Sequence, residues 1–133
     1  MFNYEKLEVW QEAIAFADLI YSITKRFPSE ERFGLTNQMR RAVVSISSNL
    51  AEGSSRNSRI EFARFVEVAS GSTFEVASQA FIAHRQDMLS EADFNQVYEG
   101  SEKLGRMLSG LRRSLLEGRG QPAHQPSTIN HQP

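Results

Sequence analysis

Residues 45–75 read SISSNLAEGSSRNSRIEFARFVEVASGSTFE, two amphipathic segments that meet around Gly53 and carry many polar residues between their apolar ones. Upstream of the glycine the apolar register runs Leu35, Met39, Ala42, Ile46 and then Asn49. Downstream it runs Phe62, Val66, Ala69, Thr73, Val76, Ala80 and Ala83. Alternating steps of four and three residues put such side chains on one stripe of an α-helix, with the seam geometry of a coiled coil. Gly53 after Glu52 predicts a left-handed residue at the end of the upstream helix. Ser58 followed by Glu61 predicts a capping box at the start of the next. The block therefore reads as a helical hairpin turning near Ser55.

The same pattern recurs on both sides. Val9, Ala13, Phe16, Ile20, Ile23 and Phe27 form a first register, and Phe94, Val97, Ser101, Leu104, Leu108, Leu111 and Leu115 form a fourth. Proline at position 28 stops the first helix, because it removes a donor and disfavours helical geometry in the residue before it. Gly34 precedes the second helix, and Ser90 with Asp93 is an acidic cap for the fourth. No segment sustains the alternation of a strand. Short turns make successive helices antiparallel neighbours, so the fold class is all-α, an antiparallel up-and-down four-helix bundle over residues 1–117. Residues 118–133, GRGQPAHQPSTINHQP, hold too little apolar surface to offset ordering entropy and read as a flexible tail, where His124 and His131 are not expected to act as ligands.

A chain of 133 residues suits one domain, large enough to bury about two thirds of the surface its unfolded form exposes. The absence of cysteine excludes disulfides, thiolate metal sites and a cysteine nucleophile. The N-terminal charge order is wrong for a secretory signal and no apolar run spans a membrane, so a cytoplasmic protein without membrane partners is expected. The formal net charge of −1 hides an asymmetry: residues 32–64 carry six Arg against Glu52 and Glu61. Any anion-binding face should come from that segment.

Chemistry is harder to find. A di-iron bundle needs Glu-x-x-His on two helices, and this chain has none. No phosphate-cradling loop of the G-x-x-x-x-G-K-[ST] kind is present, and His84 reads as a structural histidine at the core edge. The expectation is a protein that is not an enzyme and uses no cofactor or metal.

Two helices carry more apolar surface than one core needs. On the first, Trp10, Ile14, Ala17 and Tyr21 repeat the four-three spacing about 100° from the core stripe. On the third, Phe74, Phe81 and Met88 do the same at spacings of seven. A second stripe implies a second partner, and a homo-oligomer is expected, with Trp10, Ile14, Tyr21, Phe74, Phe81 and Met88 as the candidate interface. The polar residues of the hairpin line up as well: Gln38, Arg41, Ser45, Asn49 and Glu52 on one helix, and Glu61, Ser72, Glu75 and Gln79 on the other. They are expected to face one another as a structural seam, with Arg41 and Glu75 paired and Asn49 fixing the register.

The order of these polar positions resembles a known family. Leu7-Glu8-Val9-Trp10-Gln11, Phe33-Gly34-Leu35, Gln38-Met39-Arg40-Arg41-Ala42, Asn49-Leu50-Ala51-Glu52-Gly53, Arg56, and Glu61-Phe62 through Gly71-Ser72 and Glu75 are similar to the bacterial proteins encoded in intervening sequences of 23S ribosomal RNA genes, also labelled S23 ribosomal proteins. The resemblance covers roughly residues 4–115. It implies an up-and-down bundle assembled as a ring, a homopentamer. It also implies a distant relation to the accessory variability determinant of diversity-generating retroelements, which works with a reverse transcriptase and nucleic acid. The leading expectation is a non-enzymatic oligomeric scaffold or adaptor. The alternative is a nucleic-acid-binding module, partnered by nucleic acid or an enzyme acting on it, in which Arg40, Arg56, Arg59 and Arg64 contact phosphates.

Overall fold

Each of the four apolar registers becomes one helix in the computed structural model, which describes residues 1–117, except that the first helix ends before Phe27. They are α1 (Glu8–Thr24), α2 (Leu35–Ser54), α3 (Arg59–Arg85) and α4 (Glu91–Glu117). Short 3₁₀ turns at Asn3–Lys6 and Ser29–Glu31 precede α1 and α2. The described residues contain no strand, and none of their helices is long and apolar enough to cross a membrane. The expected tail at 118–133 lies outside the described residues.

The helix ends follow elementary capping chemistry. The Ser58 hydroxyl accepts from the Glu61 amide at 3.0 Å and the Ser90 hydroxyl from the Asp93 amide at 3.1 Å, satisfying donors that the first turn leaves unpaired. At α2 the Glu31 carboxylate accepts from the Leu35 amide at 3.0 Å. Helix α3 closes with a Schellman motif: the Met88 amide reaches the Ala83 carbonyl at 2.9 Å, the Asp87 amide reaches His84 at 3.1 Å, and Asp87 takes a left-handed φ of 60°.

Neighbours run antiparallel around the bundle in the order α1, α2, α3, α4, with α4 returning to α1. On the α3–α4 side Glu67 pairs with Arg112 at 2.7 Å and His84 with Glu91 at 2.9 Å, so numbers rise on one helix as they fall on the other. On the α1–α4 side Glu12 meets Lys103 at 3.2 Å, and Arg26 meets Asp93 at the other end. Between them lies the core: apart from Asn49 and Phe94, which are half-buried, every residue of the four registers is buried. In α2 the core line passes from Ile46 through Leu50 and Gly53 rather than through Asn49, which turns to the rim.

Gly53 corrects an expectation. It is not a left-handed terminal residue but a buried residue inside α2, one position before the helix ends. A Cβ placed there would stand 2.7 Å from the Cβ of Phe65 and 2.9 Å from the ring of Phe62, both on α3. The two backbones pass so closely that no side chain fits between them. Gly100 serves α4 similarly, where a Cβ would meet the Phe16 ring of α1 at 2.8 Å.

Gly53→Ala should lower stability despite the helix propensity of alanine. Overpacking costs about 1–3 kcal/mol, against a propensity gain of about 1 kcal/mol, and the Cβ of Phe65 cannot swing aside as a side-chain end could. A urea midpoint at or above wild type would contradict this. Asp87→Gly should raise the midpoint, since glycine removes a left-handed strain of about 1 kcal/mol.

Candidate functional site

The α2–α3 hairpin gathers most of the residues singled out for function, and the fold sorts them by partner. Arg56 lies just past the end of α2, where its guanidinium sits 4.8 Å from the centroid of the Phe65 ring and its Nη2 reaches the Glu52 carboxylate at 2.6 Å. Phe65 is the residue whose Cβ abuts Gly53. Glycine, ring, guanidinium and carboxylate thus form one clamp across the turn. Arg59 is half-buried at the start of α3 and engaged in a contact of its own. Arg64, on the outer side of α3, is exposed and carries no ion pair among the described residues.

Arg40 is held differently. Its Nε donates to the Thr24 hydroxyl at 2.9 Å, its Nη2 lies 3.5 Å from the Tyr21 carbonyl, and its guanidinium stands 4.6 Å over the Tyr21 ring. Thr24 in turn donates to the Ile20 carbonyl at 2.7 Å, so its hydroxyl is used in both directions. The arginines expected to share a phosphate-binding face are therefore divided. Arg40 docks on α1 and Arg56 on α3.

The polar seam forms only at its centre. The Ser72 hydroxyl donates to the Ser45 hydroxyl at 2.9 Å across the α2–α3 contact, and Asn49 donates to both the carbonyl and hydroxyl of Ser45 at 2.8 and 3.0 Å. Asn49 thus bonds within its own helix and bears on the neighbour only through Ser45. Gln79 is buried, with its Nε2 3.5 Å from Glu75. Gln38, Arg41, Glu52, Glu61 and Glu75 are exposed. The expected Arg41–Glu75 ion pair does not form within the chain: both side chains point to water, where two long ions lose more by ordering than screened attraction returns.

The surplus apolar stripes are partly absorbed. Trp10 is half-buried and packs against Tyr4, ring centroids 5.0 Å apart, because the N-terminal 3₁₀ turn folds back over it. Met88 is also half-buried against the core. Ile14, Tyr21, Phe74 and Phe81 stay exposed, and Phe74 is 70% exposed. Phe81 joins a surface cluster with Phe94 at 4.9 Å and Tyr98 at 6.2 Å, while His84 lies 4.8 Å from Phe94. Sequence reasoning missed the parts played by Phe65 and Tyr21, since an arginine's platform on another helix leaves no periodic signal. No group of three or more His, Asp or Glu able to hold a metal occurs among the described residues.

These features can be set beside known proteins. A family model described as 23S rRNA-intervening sequence protein matches residues 5–110. No curated protein matches the chain. Among solved structures, a protein of unknown function from the S23 ribosomal protein family of Bacteroides thetaiotaomicron is 20% identical, with 79% of this chain and 98% of that one covered and a TM-score of 0.73. That likeness is one of fold.

If Arg56 belongs to the turn clamp, Arg56→Ala should cost about 1 kcal/mol by loss of the stacked cation and its carboxylate. Arg64→Ala on the solvated face should stay within about 0.5 kcal/mol of wild type. Equal urea midpoints for the two variants would show that the clamp contributes nothing.

Proposed function

The chain belongs to the 23S rRNA-intervening sequence protein family, and on that premise we propose that it works as a non-enzymatic homo-oligomeric scaffold or adaptor whose copies meet through the outward faces of α3 and α1. The observation that carries this reading is the set of large apolar side chains left exposed on α3. Phe74 is 70% exposed there, and Val68 and Ile82 are each 52% exposed. Burying the remaining exposed part of such side chains against a second copy is favourable by about 1–2 kcal/mol each.

Two helical glycines support the same reading. Gly71 on α3 and Gly105 on α4 have open space where a Cβ would stand, so the chain's own packing does not require them. Each costs its helix about 1 kcal/mol relative to alanine. Both lie near Phe74, Gly105 as part of the groove beside that ring. Close approach by another backbone is a use that repays their presence.

On α1, Ile14 and Tyr21 form a second, different apolar strip. A contact between two unlike faces is heterologous, and such contacts close into rings when the rotation permits. The proposed assembly is a homopentamer, the ring number resting on the family resemblance. A scaffold of this kind would repeat each outward feature around its axis, which multiplies weak contacts to a common partner.

Light scattering at micromolar concentration should give a mass several times the 15.1 kDa of one chain. Phe74→Glu should lower that mass while leaving the helical circular dichroism intact, because the ring has no place in the bundle core. A wild-type protein that scatters as a monomer would end the oligomeric reading.

A further inference from the structure

Away from the clamped turn, on the α1–α2 side, lies a separate feature, a notch of about 370 Å³ lined by Tyr21, Asn37, Arg40, Arg41, Val44 and Ser45. Its charge is one-sided. Two arginines line it and no acidic residue does. From Arg32 to Ala51 the chain contains no Asp or Glu, so α2 supplies no counter-ion along this stretch. Asp18, one turn before Tyr21 on α1, is outside the lining. Arg41 makes no ion pair or hydrogen bond among the described residues, the partner expected for it on α3 being turned to solvent.

The two arginines differ in a way that suits a ligand. Arg40 is oriented in advance: the Thr24 hydroxyl accepts a hydrogen bond from its Nε, the Tyr21 carbonyl lies near its Nη2, and the Tyr21 ring supports the plane from one side. This leaves the Nη1 donors without a partner among the described residues. A guanidinium fixed through one edge loses less rotamer entropy when its other edge binds an anion. Arg41 brings a second, mobile set of donors, and the Asn37 amide can add another. Donors from several directions suit a tetrahedral oxyanion, whereas the planar geometry of a carboxylate is matched by a single arginine fork.

From this arrangement we infer that the notch binds a phosphate group, with Arg40 as the preorganised contact and Arg41 as the closing one. The volume exceeds that of a phosphate and leaves room for the molecule that carries it. That carrier is either a small phosphorylated compound or the sugar-phosphate backbone of a single-stranded nucleic acid; both present the same oxyanion. The site is built from one chain only, although Tyr21, which supports Arg40 here, also belongs to the α1 strip proposed to meet another copy.

Inorganic phosphate titrated into the intact protein at low ionic strength should move the side-chain Nε–H resonances of Arg40 and Arg41 and the backbone amides around Asn37. Chloride at equal ionic strength should not. Arg41→Gln should weaken the response about tenfold, the loss expected for one charge-assisted hydrogen bond. Arg40→Lys, which keeps the charge but not the fork, should weaken it as well. An unmodified twelve-nucleotide single strand distinguishes the sources: saturation of the same resonances well below the phosphate concentration points to a nucleic-acid backbone, and phosphate binding without it points to a small ligand. Identical shifts with chloride would overturn the inference. So would an Arg41→Gln protein that changes its light-scattering mass while wild type ignores phosphate, because the notch would then be a contact between chains.

Discussion

The bundle depends on how closely α2 and α3 approach at Gly53. With no Cβ on one helix, the Cβ of Phe65 and the ring of Phe62 on the other can sit against bare backbone. The consequences run outward from that contact. Phe65 is held at the hairpin's edge, where it becomes the surface on which the Arg56 guanidinium rests, and Arg56 is then in reach of Glu52. Farther along, the same close contact lets two small side chains, Ser45 and Ser72, bond directly across the helices at 2.9 Å. Larger residues at those positions would hold the helices apart.

This constraint gives the dense polar block a structural meaning. Glu52, Gly53 and Arg56 share one turn, and Ser45, Asn49 and Ser72 share one crossing. None of the first three is spare for a ligand, because each already has a partner whose loss would loosen the hairpin. Function is then sought where polar groups remain uncommitted. The outer side of α2 between Asn37 and Ser45 is such a place, since Arg40 is oriented there without being neutralised. The outer side of α3 is another, where Phe74, Val68 and Ile82 stand exposed among charged residues. The two surfaces differ in chemistry and can serve different partners.

Much of the fold was legible in the chain because helix periodicity and capping are local. Phe62 to Ala83 and Val97 to Leu115 could be assigned to the core by spacing alone, and Ser58 could be assigned as a cap because its acceptor meets an amide three residues on. The candidate sites were less legible. Arg40 and Arg56 looked equivalent as exposed cations in a basic segment, yet one lies on a tyrosine of α1 and the other on a phenylalanine of α3. Trp10 looked like an interface residue because nothing in its helical phase reveals that Tyr4 folds back against it. Arg41 and Glu75 looked like partners because a hairpin brings their positions near, but position along an axis does not set the direction in which a long side chain turns.

By itself the sequence determined four helices, most of their limits, their antiparallel order and most of the core, because those properties follow from a repeat of about 3.6 residues and from hydrogen bonds that close within one turn. Only the tertiary structure decided that Gly53 is a point of helix contact rather than a terminus, which arginines are committed to internal platforms, and which apolar side chains remain outside. Each of those outcomes depends on the distance and rotation between two helices. That relation is set by the fit of all the side chains between them, and no single segment contains it.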